Sequence, residues 1–170
     1  MRKIPKKNYL ILFLILSFTV LFIFYVRDWY NTSKDYYSKN SAIKDVTREI
    51  NENELYSFAV ENPKFILYTS SGVDGGVKKF ESKLKSLIIK DDMSDYILYL
   101  NLDNVEIDSF VSNLKSRFSS KKIDNNFSSA SASTFYIFQD GKIKVVLNDI
   151  NDYSINYLDS LFKKWGFNDD

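Results

Sequence analysis

The order of apolar runs predicts an α/β three-layer sandwich with a mixed central sheet, preceded by one N-terminal transmembrane helix. Three observations carry this expectation. From about Val46 to Phe167, short β-rich runs alternate with stretches of helical periodicity. Near the end, Asp140-Gly141 separates two apolar runs, the signature of an antiparallel hairpin. At the start, the uncharged 18-residue run Tyr9–Val26 follows a wholly basic segment.

That run is 14/18 Leu, Ile, Phe or Val. As a helix it spans about 27 Å, close to the hydrocarbon thickness of a bilayer. Residues 1–8 carry Arg2, Lys3, Lys6 and Lys7 and no acid. The positive-inside rule therefore places the N-terminus in the cytoplasm and everything after Arg27 on the far side. A cleaved signal peptide needs a shorter apolar stretch and a small-residue cleavage site, and no alanine precedes Ala42. Residues 9–26 thus read as an uncleaved signal anchor whose partner is the lipid bilayer. Residues 27–45 read as a polar stalk, 46–167 as one domain and 168–170 as a tail.

Within the domain, Val46–Ile50 is a short strand candidate. Asn51 caps a helix over Glu52–Val60, which Asn62-Pro63 stops. Phe65–Thr69 is a strand apolar enough to be buried on both faces. Ser70–Gly76 holds three of the five glycines and reads as a loop. Val77, Phe80, Leu84, Leu87 and Ile88 then mark one face of a second helix, with lysines and Glu81 assigned to its solvated face. Tyr96–Leu102 is the next strand, and Asp108 the expected cap of a helix buried through Phe110, Val111, Leu114 and Phe118. Ser119–Ser133 reads as a loop. Phe135–Phe138 and Ile143–Leu147 form the hairpin, and Tyr153–Trp165 a last helix ended by Gly166.

Composition removes much chemistry. The chain has no cysteine and no histidine. Disulfide exchange, thiolate or imidazole metal sites, and triads built on either residue are impossible. From Arg27 onward acidic side chains exceed basic ones by three, which gives nucleic-acid binding no electrostatic basis. Frequent lysine, asparagine and isoleucine suggest an AT-rich, bacterial coding sequence.

The element order and three segments resemble the thioredoxin-like fold over roughly residues 46–167. FILYTSSGVDGGVKKFESKL is similar to the strand, active loop and long helix. DYILYLNLDN is similar to the central strand with its acidic turn, and STFYIFQDGK to the strand that enters the last hairpin. The resemblance implies a Cys-x-x-Cys in the loop before the long helix, where this chain has Gly72-Val73-Asp74-Gly75-Gly76. It implies a cis-proline at Ser133, ahead of the retained Thr134. A cis bond at a non-proline residue costs about 2.5–4 kcal/mol, so the Ala132–Ser133 bond is expected to be trans. The resemblance thus implies a redox-inactive domain, akin to the thioredoxin-like accessory proteins of bacteriocin export but without their cysteines.

The candidate binding residues are Ser70, Ser71, Gly72, Asp74, Gly75 and Gly76, beside Ser133 and Thr134. A loop after a strand and before a helix can bind an anion through backbone amides, or it can be a tight turn whose glycines supply positive φ. It is not a P-loop. Ser-x-x-Lys occurs five times, from Ser41, Ser82, Ser112, Ser119 and Ser160, and nothing singles one out as a nucleophile pair. The acids at 91–95 and 103–108 lack EF-hand spacing and read as loop ends and caps. No catalytic residue, metal or cofactor is expected. The expected function is protein or peptide binding by an anchored, extracytoplasmic accessory or chaperone-like module. The alternative is a sensor of small anionic ligands or envelope components using Gly72–Gly76.

Overall fold

A computed structural model describes residues 6–71, 75–119 and 133–167. The chain divides into two compact units, Met1–Ser38 and Lys39–Asp170. The first is the helix α1 (Lys6–Lys39). Its stretch Lys7–Ser33 is long and apolar enough to cross a membrane. The hydroxyl of Thr19 donates back to the carbonyl of Ile15 at 2.9 Å, which satisfies a polar group within the apolar stretch. Trp29, 63% exposed, lies on this helix. Helix continues through the polar segment that follows the apolar run, as far as Lys39. No proline occurs between Pro5 and Pro63, and no glycine before Gly72, so nothing in the backbone interrupts it.

The second unit contains, in order, β1 (Arg48–Glu49), α2 (Glu52–Glu61), β2 (Phe65–Ser70), α3 (Gly75–Lys90), β3 (Ile97–Asn101) and α4 (Ile107–Phe118). These are followed by β4 (Ser133–Gln139), β5 (Lys142–Asn148), a 3-10 turn (Ile150–Asp152) and α5 (Ile155–Lys164). The sheet order is β1-β3-β2-β4-β5. β1 and β2 run parallel to β3, while β4 is antiparallel to both β2 and β5. The sheet is therefore mixed, as the element order implied.

Side-chain alternation divides the core into two layers. Ile66, Tyr68, Ile97, Tyr99, Phe135 and Ile137 face α3 and α5. Phe65, Leu67, Leu98, Leu100, Tyr136 and Phe138 face α2 and α4. All six residues of β2 are buried, as expected for a strand covered on both faces. In β5 the alternation slips: Ile137 pairs with Val145 but Phe138 with Ile143. The extra residue, Lys144, makes a β-bulge, so Ile143 and Val146 face the same layer despite odd spacing.

Local signals set most boundaries. The Asn51 side chain accepts from the Glu54 N–H at 3.0 Å and caps α2. Asp140 and Gly141 both have positive φ, 56° and 65°, the geometry of a type I′ hairpin turn. Gly166, at φ 70°, ends α5. Two caps differ from expectation. α4 begins two residues earlier, with Glu106 rather than Asp108 as cap; its carboxylate accepts from the Ser109 N–H at 2.9 Å. The Ser109 hydroxyl and N–H hold that carboxyl below its ordinary range. α5 begins at Ile155, not Tyr153, because Ser154 accepts from the Tyr157 N–H. Trp165 packs against the α3–α5 side of the core.

The packed unit starts before Val46. Ile43 is fully buried within the α3–α5 layer. Its carbonyl accepts from the N–H groups of Val46 and Thr47 and from the Thr47 hydroxyl. Lys85 of α3 holds both carboxylate oxygens of Asp45, at 2.6 and 2.8 Å.

Candidate functional site

The candidate residues gather where β2 ends, α3 begins and β4 starts. Strand pairing does this: Ser70 lies opposite Ser133 and Thr69 opposite Thr134. The structure places Gly75 and Gly76 as the first residues of α3. Gly72 and Asp74, with Val73 between them, lie outside the described residues, as does the Ala132–Ser133 bond.

Most of these side chains face inward. Ser70, Ser133 and Thr134 are all buried. Ser70 donates to a carboxyl oxygen of Glu81 at 2.8 Å, and the Thr134 hydroxyl contacts Asn148 Oδ1 at 3.4 Å. Ser71 is half-buried and donates to Asp103 at 2.5 Å. Of Ser70, Ser71, Gly76, Ser133 and Thr134, Ser71 and Gly76 are those with solvent access.

The centre of the site is a residue that the sequence reading assigned to solvent. Glu81, in the second turn of α3, is 1% exposed. Three donors converge on its carboxyl group. Tyr68 Oη and Ser70 Oγ donate to Oε1 at 2.9 and 2.8 Å, and the Ala42 N–H donates to Oε2 at 2.8 Å. An acceptor-only group in an apolar layer requires such partners. The cluster thus ties together β2, α3 and the segment before β1. Its signal was present in the spacing: Glu81 stands four after Val77, three before Leu84 and seven before Ile88, all buried.

Burial raises the hydroxyl pKa of Tyr68 well above its ordinary value, and Glu81 adds to the effect. Tyr99 lies in the same cluster, beside Ser70 and Ser41 without hydrogen-bond geometry to either. Its pKa is pushed up to about 12, chiefly by burial, with Ser70 opposing and Glu81 adding. Both phenols therefore stay neutral at physiological pH. The cluster can position backbone, and the hydroxyls of Tyr68 and Ser70 are buried and committed to Glu81. Among the described residues no three acidic side chains converge to hold a metal ion.

No family model matches the chain, and no curated protein matches it in sequence. Its shape does have counterparts. A chain in the crystal structure of the complex of ferredoxin:thioredoxin reductase and thioredoxin f2 aligns at a TM-score of 0.50 and 15% identity. That alignment covers 69% of this chain and 93% of the other. Thioredoxin f2 of Chlamydomonas reinhardtii aligns at 0.49 and 9% identity, covering 72% and 99%. Plasmodium falciparum thioredoxin aligns at 0.48 and 16% identity, covering 71% and 100%. The fold is thioredoxin-like. With no cysteine anywhere in the sequence, this is a thioredoxin-like chain without dithiol chemistry, carrying an N-terminal helix able to span a membrane.

Proposed function

We propose that the chain is a membrane-anchored, extracytoplasmic binding module that acts as an accessory or chaperone-like component and not as an oxidoreductase. In this reading α1 crosses the bilayer with Arg2, Lys3, Lys6 and Lys7 on the cytoplasmic side. The reading rests on one observation above others: a thioredoxin-like framework is retained while every residue able to exchange disulfides is absent. What such a framework still offers is shape, with surfaces held rigidly by the sheet and by the Glu81 cluster. The likeness to accessory proteins of bacteriocin export belongs to this proposal.

The test is cross-linking in intact membranes of the source cells, then purification of the full chain in mild detergent and mass spectrometry. Cross-links from the domain to one reproducible protein support the reading. A chain that stays uncross-linked and migrates alone removes it. If instead the melting temperature rises with small anionic ligands in a concentration-dependent way, the sensor reading takes its place.

A further inference from the structure

We propose that the groove between the first turns of α3 and the start of α5 docks an acidic peptide segment that carries an apolar side chain. This deepens the binding reading above and rests on it. The groove holds about 400 Å3 and is lined by Gly76, Lys79, Phe80 and Lys83 from α3, facing Tyr153 and Ile155.

Three positive poles meet there. Lys79 and Lys83 stand one turn apart, and like charges at this spacing repel. Among the described residues neither ammonium has a carboxylate within ion-pair reach, whereas Lys85 on the same helix holds Asp45 at 2.6 Å. The third pole is the N-terminus of α5, which has no acidic residue in its first turn. Ser154 satisfies the Tyr157 N–H, and the N–H groups of Ile155 and Asn156, both lining residues, have no partner within the helix. Asp152 lies two residues ahead of the cap and does not line the groove. The chain from Arg27 onward is net acidic, so this basic groove is a local exception to the overall charge.

An anionic partner relieves all three poles together. The walls narrow its chemistry further. Phe80, Ile155 and Tyr153, whose ring stacks on Tyr157 at 5.4 Å, supply apolar surface between the charges. An inorganic anion would use the lysines and leave that surface wet. A peptide that alternates carboxylates with an apolar side chain uses both.

The experiment uses the full chain in zwitterionic nanodiscs. The probe is a fluorescein-labelled octapeptide in which Asp and Glu flank a Leu-Phe pair, with the mirror peptide carrying Lys and Arg as its control. The acidic peptide is expected to bind saturably. The double substitution Lys79→Glu with Lys83→Glu is expected to weaken it at least about tenfold and to favour the mirror peptide. Ile155→Ser is expected to weaken it about threefold. Independently of any ligand, Lys83→Glu alone converts a repulsive pair to an attractive one and should raise the melting temperature by about 2 °C. Binding unmoved by charge reversal, no saturation at about 1 mM, or full competition by equimolar inorganic phosphate each overturns the proposal. A native partner whose cross-links lie away from α3 and α5 overturns this groove while leaving the binding function standing; the absence of any partner removes both.

Discussion

Replacing Glu81 with alanine orphans three donors at once, and the structure sets the scale of the loss. Tyr68 and Ser70 are both fully buried, and each stranded hydroxyl costs about 1–3 kcal/mol. The Ala42 N–H is part-buried and recovers some of its loss from water. The emptied volume adds a further penalty. Together these give about 3–6 kcal/mol, a large share of the 5–15 kcal/mol typical of a whole domain. Glu81→Gln conserves volume and one acceptor oxygen, which can keep Tyr68 and Ser70. Its amide nitrogen then faces the Ala42 N–H, donor against donor, at a cost of about 1–2 kcal/mol. The assay is urea unfolding of the full chain in detergent, followed by near-ultraviolet circular dichroism, with hydrogen exchange at Ala42. Alanine should lower the midpoint strongly. Glutamine should lower it modestly while stripping protection from Ala42 first. In a Tyr68→Phe background the alanine penalty should shrink by about 1 kcal/mol, because one orphan has been removed beforehand. Variants within about 0.5 kcal/mol of the parent, or coupling near zero, would refute the reasoning.

Other consequences can be measured in the same chain. Three buried tyrosines have raised pKa values: Tyr68 well above its ordinary value, and Tyr99 and Tyr136 at about 12. A folded-state pKa above the unfolded value of about 10 gives stability that is complete below pH about 10 and lost as pH rises through the folded pKa. Ultraviolet titration should therefore show these phenols ionising only as the domain unfolds at alkaline pH; ordinary midpoints in a still-folded domain would contradict this. Gly141→Ala has room for its Cβ, whose nearest neighbour is the Ala59 carbonyl at 4.0 Å. Its positive φ should still cost about 1–2 kcal/mol in the unfolding midpoint. Ile43→Ala empties a fully buried site and should cost about 2–4 kcal/mol; a neutral result would detach the segment before β1 from the fold.

Elements whose cause is local were legible in the sequence. Asn51 caps α2 through its own side chain, Asp140-Gly141 turns the hairpin through its own dihedrals, and the parity of β2 and β3 follows from two-residue alternation. The features that escaped depend on distant partners. Glu81 lies among Lys78, Lys79, Lys83 and Lys85, and surface helices are commonly composed that way. Only its spacing from Val77, Leu84 and Ile88 marks it as inward, and its donors arrive from 11, 13 and 39 residues away. Ile43 escaped because one buried apolar residue in a short turn shows no period. Ser70 and Ser133 pair across β2 and β4, and their places at the ends of apolar runs are visible in the sequence, whereas the bond from Ser70 to Glu81 of α3 is not.

The division into two compact units has an optical consequence. The chain has two tryptophans, and each unit holds one: Trp29 on α1 and Trp165 at the end of α5. Trp165→Phe would leave an emitter whose spectrum reports the polarity around α1. Trp29→Phe would leave one that reports the packing of the domain. Energy transfer from either indole to an acceptor dye on a bound peptide would then locate that peptide along the chain, with no foreign label on the protein itself.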